Sequence, residues 1–517
     1  MIPFAPWRPD TPDVGVDGTV ALGVVPLTVN EGGVAYGPWA DFAEATDALA
    51  ATVQGAGSFL GAEGETHIFA ATSGGLFKAS TNTFEDVSPA AGFTPSTEAV
   101  IGFAQLRTAT EDYIIAFGDA DEDLLYFDLN ASTDFAQLSS AAPRAKAGAV
   151  VDGNIFMVGN TWDSTDGYVP NRVWWHSRNS LTGAPLPTTW PTIGSSQAQE
   201  EQSDYRDLDT NGPIIAMTGP VGGAVGGLVF ARNSIHRIVR AGVPAVYDFY
   251  PITRDLGCPS PSGVINIRER VFFPTEDGFY ATDGQSVVNI GAQKFDRWFF
   301  DNVDTGNMRK ICGASVPGQK LAIWGFPSSG SNGVITHIIA YNYEIGEASL
   351  IESDGEYDFI FRSYTKGYTL EELDAFGDLD SLAFSLDSQF WLGGRVLVGG
   401  FNGSHKYGAF EGSNLAARIE TGELRQRGNR RYRSTGILPV IEADSALSSG
   451  DVTASVGYRD VPNGTVTYDT ATNIAANGVC PQLRSAKFQR ARVSIGAGVS
   501  WKKAVGAEYE FHLEGKF

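Results

Sequence analysis

Between Val264 and Gly291 the chain sets short apolar runs against two Asp-Gly turns: Val264–Ile267, Arg270–Phe273, Phe279–Ala281 and Ser286–Ile290, broken at Asp277-Gly278 and Asp283-Gly284. Asp-Gly between apolar runs is the strongest short hairpin signal, because a type I′ turn needs positive φ at both central residues. A meander this tight has the form of one blade of a β-propeller.

Similar units recur along the chain. His67–Ala71, Gly75–Lys78 and Phe84–Val87 form one, and Tyr113–Phe117, Leu124–Asp128 and Phe135–Leu138 a second. Gly148–Val151, Ile155–Val158 and Arg172–His176 make a third; Ile214–Met217, Leu228–Ala231 and Ile235–Val239 a fourth. The Asp-Gly meander is the fifth, and Ile311–Ser315, Leu321–Trp324, Ile335–Tyr343 and Ala348–Ile351 the sixth. Spacing of roughly 40–50 residues per unit is the mark of propeller blades, and radial closure leaves only short, protected strand edges. Six blades are expected and seven allowed, with Asp358–Ser363 and Val396–Phe401 left to complete or close the ring.

The fold class is therefore all-β: a propeller over 56–413 with a loop insertion around 177–211, and a β-sandwich-like platform over 414–517, where the strands lengthen. An N-terminal arm, 1–55, is placed to pack on the platform. Two stretches read as helical, Thr369–Asp374 from its Thr cap and acidic first turn, and Ala40–Thr52 from its alanines. Gly212–Ala231 carries no charge over twenty residues, but Pro213, Pro220 and its glycines favour two strands around a glycine loop over a membrane helix, so no membrane span is expected. The first ten residues lack the basic and apolar regions of a secretory signal.

A net charge of −23 over 517 residues excludes a whole-surface affinity for nucleic acid, though not a basic patch or an acidic channel through which DNA slides. Cys258, Cys312 and Cys480 are too few and too scattered for a disulfide framework or a zinc site and read as buried thiols. The six histidines show no metal-ligand spacing, and no cofactor is expected. Asp277 and Asp283 could pair as glycosidase carboxylates, but turn chemistry explains both. Asp119, Asp121 and Asp123 are the best calcium candidate and lack the rest of an EF-hand loop. Against the acidic background Arg425, Arg427, Arg430, Arg431 and Arg433 cluster, and Arg490 and Arg492 share one strand face. They are candidates for a solvated, salt-bridged face, a contact with a neighbouring subunit or acidic adaptor, or a channel lining, since the guanidinium fork binds carboxylate or phosphate.

Read in order, Trp7-Arg-Pro-Asp10, Arg172-Val-Trp-Trp-His-Ser177 with Trp190, Arg232-Asn-Ser-Ile-His-Arg237, Arg254-Asp-Leu-Gly257, the Asp-Gly meander, Ala416–Glu423 and Arg490–Ile495 with Trp501 resemble the propeller-bearing hub or nozzle proteins of tailed-bacteriophage tails. The resemblance implies a non-enzymatic virion protein, made in the host cytoplasm, in a homo-oligomeric ring of six subunits below the portal. Its implied partners are the adaptor (head-tail connector) protein, tail fibres, and phage DNA that passes without sequence-specific binding. The alternative is a surface propeller that binds or hydrolyses carbohydrate, for which Trp162, Trp174, Trp175 and Trp190 could stack sugars. A WD-repeat scaffold lacks its Gly-His and Trp-Asp spacing.

Overall fold

The computed structural model describes the chain except residues 12–17, 19, 31–32, 63, 109, 224–225, 243–244, 366–393, 426–430, 463 and 514–517. Five of its antiparallel four-stranded sheets run in sequence. Blade 1 is Val53–Leu60, Thr66–Thr72, Gly75–Ala79 and Phe84–Asp86; blade 2 is Gly102–Arg107, Asp112–Phe117, Leu125–Asp128 and Ala136–Gln137. Blade 3 is Arg144–Val151, Ile155–Asp163, Gly167–Trp175 and Asp204–Asp207; blade 4 is Ile214–Thr218, Gly227–Ala231, Ile235–Gly242 and Val246–Thr253. Blade 5 is the Asp-Gly meander, Ile265–Asn266, Val271–Pro274, Phe279–Thr282 and Val287–Asn289.

Two more blades share one strand. Glu347–Tyr364 pairs through its first half with Ile335–Asn342, completing blade 6 with Cys312–Val316 and Leu321–Pro327. Its second half pairs with Val396–Asn402, which pairs with Lys406–Ala409, which in turn takes Ala43–Ala48 as the outer strand of blade 7. Among the described residues the ring therefore has seven blades, and the stretch left over by a count of six is the seventh. The first strand of each blade faces the axis. Ala56, Phe103, Ala147, Ala216, Gly313 and Phe359, from six of these first strands, with Val264 just before the first strand of blade 5, surround an axial cavity of about 320 Å³.

The Ala-rich stretch over 40–52 is thus a strand where a helix was expected. Helix propensity is a weak prior, and here an open blade edge outweighs it. The register sets Ala43 opposite Ala409 and Glu44 opposite Gly408. A Cβ at Gly408 would lie 2.1 Å from the Ala43 carbonyl oxygen, so only glycine permits this approach. Glu44 accepts from Lys406 Nζ at 2.8 Å and from Asn402 Nδ2 at 2.7 Å. The other helical expectation, Thr369–Asp374, lies outside the described residues.

The platform is two packed sheets. One orders Val24–Asn30, Gly33–Pro38, Trp501–Leu513, Tyr432–Ala443 and Cys480–Ala486, with Ile2–Pro3 also on Trp501–Leu513. The other runs from Ala21–Leu22 through Ala417–Glu420 and Phe488–Ile495 to Val452–Arg459. Leu22 also pairs in parallel with Leu350 of blade 6, so this sheet continues into the propeller. One hydrophobic cluster spans the junction, holding Ile437, Val493 and Trp501 of the platform with Phe279, Phe295 and Trp324 of the propeller. Trp7 stacks on Phe295 at 5.8 Å and meets Trp298 edge-on at 5.1 Å. Asp10 accepts from the amides of Arg297 at 2.8 Å and Trp298 at 2.7 Å in the helix Asp296–Asn302. Arg8 Nη2 lies 2.5 Å from Glu347 Oε1.

The Asp-Gly turns differ from the expected type I′. Only the glycines take positive φ, +144° at Gly278 and +85° at Gly284. Asp283 Oδ1 instead accepts from the amides of Gln285 and Ser286, an Asx arrangement. Gly278 is required because a Cβ there would lie 2.3 Å from the Asp296 carboxylate, which accepts from the Phe279 amide at 3.0 Å.

Burial pushes Asp296 up from 3.8 to about 6. An acid held neutral by the fold favours folding most below its unfolded pKa and loses that contribution as pH rises through the folded value. Asp296→Asn should therefore gain stability relative to the parent between pH 4 and 7, by up to about 3 kcal/mol. Urea melts of both proteins across that range check this.

Candidate functional site

Blade 3 departs from its neighbours in two ways. Its second and third strands extend into a projecting hairpin, where Asp163 Oδ1 accepts from the amides of Thr165 at 2.7 Å and Asp166 at 2.9 Å. The stretch expected as a loop insertion, 177–211, is only in part an insertion: residues 177–203 lie between the third and fourth strands, and Asp204–Asp207 is the fourth strand itself, paired with Gly167–Trp175. It is a packed element: Trp190 is 3% exposed, meets Trp174 at 6.4 Å and donates from Nε1 to the Pro187 carbonyl at 2.8 Å. Trp175 Nε1 donates to the Gln202 carbonyl at 2.8 Å, fastening the insertion's far end. His176, buried beneath, donates from Nδ1 to the Ser177 carbonyl and accepts from the Phe156 amide at Nε2; burial lowers its pKa to about 4, so it stays neutral.

Hairpin and insertion wall a groove of about 550 Å³ against blade 2, lined by Asp123, Arg144, Trp162, Asp163, Asp166, Trp174, Trp190, Thr192 and Tyr205. Arg144 and Trp162 are cross-strand partners, and the guanidinium lies 4.9 Å from the ring centre while its Nε donates to Asp123 at 2.8 Å. Arg172, buried below, stacks on Tyr205 at 3.8 Å and donates from Nε to Asp207 at 2.6 Å and from Nη1 to Asp166 at 2.5 Å. Its Nη1 also lies 3.5 Å from Asp163. The hydrogen bond to Asp207 holds its pKa above the usual arginine value.

Of the four tryptophans considered for sugar stacking, the groove gathers Trp162, Trp174 and Trp190. Trp175 takes the opposite face of its strand, as alternation requires, and meets Tyr247 at 5.4 Å. Sequence reasoning missed Arg144, Tyr205, Asp163 and Asp166. The i, i+2 spacing of Arg172 and Trp174 was the available signal for a shared face.

A second cavity, about 320 Å³, opens at one mouth of the axis beside Arg309, Lys310 and Glu356. Within it Asp358 Oδ2 lies 2.5 Å from His405 Nδ1 and accepts from the Val53 amide at 3.2 Å. These contacts pin blade 7 to the start of blade 1.

In the platform, Arg490 is 3% exposed, its Nη1 3.5 Å from Glu420 and its Nη2 3.3 Å from Glu423. Arg492 donates to Glu420 at 2.7 Å and lies 3.4 Å over the Tyr468 ring. Arg459 reaches Glu423 at 2.5 Å. The face shared by Arg490 and Arg492 thus points at carboxylates of their own domain. Arg425 sits 5.5 Å over Phe488, Arg431 pairs with Asp460, and Arg433 is exposed opposite His512 and Ser485. Arg427 and Arg430 lie outside the described residues.

The acidic run at 119–123 is used locally: Asp119 accepts from the Ser96 and Asp121 amides, and Asp123 pairs with Arg144. Asp277 accepts from the Tyr280 hydroxyl at 3.0 Å. Among the described residues no group of three or more His, Cys, Asp or Glu is placed to hold a metal, and no helix is long and apolar enough to cross a membrane. Cys258, Cys312 and Cys480 are buried free thiols, the first two pushed up to about 12 by burial.

Together these features define an all-β protein, a seven-bladed propeller joined to a β-sandwich platform. No family model matches the chain, and no curated protein does. Among solved structures it is similar, at 11% identity throughout, to the extracellular domain of a hybrid two-component system from B. thetaiotaomicron (86% of this chain, 47% of that one, TM-score 0.38). It is also similar to a streptogramin B lyase (62% and 90%, TM-score 0.31) and to the SapL1 lectin in complex with α-methyl fucoside (58% and 97%, TM-score 0.29). The chain spans about half the length of the first of these, and likenesses this distant carry no function across.

Removing one partner of a buried ion pair strands the other's charge. Arg490→Ala should therefore cost about 3–5 kcal/mol of stability, and Arg433→Ala, at the exposed edge, less than about 0.5 kcal/mol. Denaturant melts of the two variants separate these outcomes.

Proposed function

We propose that this chain is a non-enzymatic structural subunit of a tailed-phage virion, a hub or nozzle protein in a ring below the portal. The observation that carries the reading is where its resembling motifs sit. Trp7, Arg8 and Asp10 fasten the arm to the helix Asp296–Asn302 and to blade 6, and Ala417–Glu420 joins the platform sheet that runs on into the propeller. These two motifs tie platform to propeller, which is compatible with a subunit that must hold its place in a ring. The axial cavity of a single propeller, filled around by Phe103, Phe117, Phe359 and Phe361, is too small for a duplex, so DNA passes along the axis of the subunit ring. A net charge of −23 lets DNA slide there without sticking. Arg425, Arg431 and Arg433 are the basic residues offered to an acidic adaptor.

A second reading, a carbohydrate-binding surface propeller, is favoured by the groove between blades 2 and 3, with its aromatic rings beside carboxylates and arginines. The two readings part on assembly. Native mass measurement of the purified protein, with protein analysis of particles, should find a closed ring of several subunits co-purifying with portal and adaptor. A strict monomer absent from particles would overturn the tail reading. Charge reversal of Arg431 and Arg433 to Glu should abolish docking onto adaptor-bearing particles.

A further inference from the structure

We infer that the groove between blades 2 and 3 is a saccharide site, taking an uncharged, hydroxyl-rich ring against Trp162 and Tyr205. This rests on the carbohydrate reading and is independent of virion assembly. Its volume, about 550 Å³, lies within the range of small-ligand sites. Aromatic side chains supply the apolar face that the C–H side of a sugar ring covers, and both rings are fixed in place by the arginines stacked on them.

The charged groups decide the ligand class. Asp123 is paired with Arg144, and Asp163 and Asp166 share the buried Arg172 with Asp207, so the lining keeps an acidic surplus in which every carboxylate already has a cationic partner. A phosphate-bearing ligand would meet three carboxylates, and a basic peptide would find those carboxylates already paired. A neutral polyol loses nothing to either. Each carboxylate has about four acceptor sites, more than its present partners fill, and the Arg144 guanidinium, a third exposed, has donors besides the Nε given to Asp123, so hydroxyls can both give and receive hydrogen bonds. Asp123 and Asp166 are 41% and 43% exposed, open enough for this. The insertion exists in blade 3 alone among the five blades that run in sequence, and Trp190 and Thr192 from it close the groove's outer wall.

The test is saturation-transfer NMR on the full chain with methyl glycosides of glucose, galactose and mannose and with N-acetylglucosamine, beside inorganic phosphate and an arginine-rich peptide. At least one neutral sugar should bind saturably. Trp162→Ala should weaken it about tenfold, Asp166→Asn should weaken it several-fold, and Lys310→Ala, at the axial mouth, should leave it unchanged. Near-ultraviolet circular dichroism confirms that each variant folds. Absence of saturable binding by every sugar, binding that survives Trp162→Ala in a folded variant, or groove-dependent binding of the peptide or phosphate instead would each overturn the site. A protein that takes no sugar defeats this site and the carbohydrate reading together; sugar binding that survives Trp162→Ala defeats the site alone and leaves that reading standing.

Discussion

The outer strand of blade 7 comes from the opposite end of the sequence. Ala43–Ala48 lies against Lys406–Ala409, and the Tyr407 amide donates to Thr46 Oγ1 across 361 residues. Without it blade 7 would end on an open edge, although the first and last blades also meet through Asp358 and His405, through Phe84 against Phe401 and Tyr407, and through the Tyr364 amide on Ser58. The chain must therefore leave the platform, lay one strand on the last blade and begin the first blade at Val53 within a few residues. Closing so long a span carries an entropic cost that the local meanders do not.

That closure also fixes the platform. The residues before Ala43 have already run through Ile2–Pro3, Ala21–Leu22, Val24–Asn30 and Gly33–Pro38, each paired in the sandwich. Arm, platform and propeller are thus one connected body, with a shared core under blades 5 and 6. The groove lies on the other side of the ring's strand order, between blades 2 and 3, where an insertion can grow without disturbing the weld. The groove and the platform junction are separated around the ring by the radial symmetry of the fold.

Much of this was legible in the sequence because a meander announces itself locally. Three of the four strands in each of blades 1 to 4, and the strands of blades 5 and 6, follow from alternation and turn residues, while Val53–Leu60, Gly102–Arg107, Asp204–Asp207 and Val246–Thr253 were not legible; the pair around the Gly219–Gly227 loop forms as two strands. What was illegible depended on partners far away. Ala40–Thr52 carries helix-forming alanines, and only the edge offered by Lys406–Ala409 makes it a strand. The Asp-Gly turns were visible, but not that Gly278 clears space for the Asp296 carboxylate. Trp162, Trp174 and Trp190 were singled out, while Arg144 and Tyr205 were not, because their roles arise from cross-strand stacking that no local pattern reveals.

The direct measurement of ring closure is amide hydrogen exchange of the full chain. If Ala43–Ala48 is the outer strand of blade 7, its paired amides, with those of Lys406–Ala409, exchange as slowly as the outer strands of the other blades, and Glu44→Pro accelerates exchange in both segments together. Exchange of 43–48 as fast as that of an unpaired surface segment, or a Glu44→Pro effect confined to the arm, would contradict closure by the N-terminal strand.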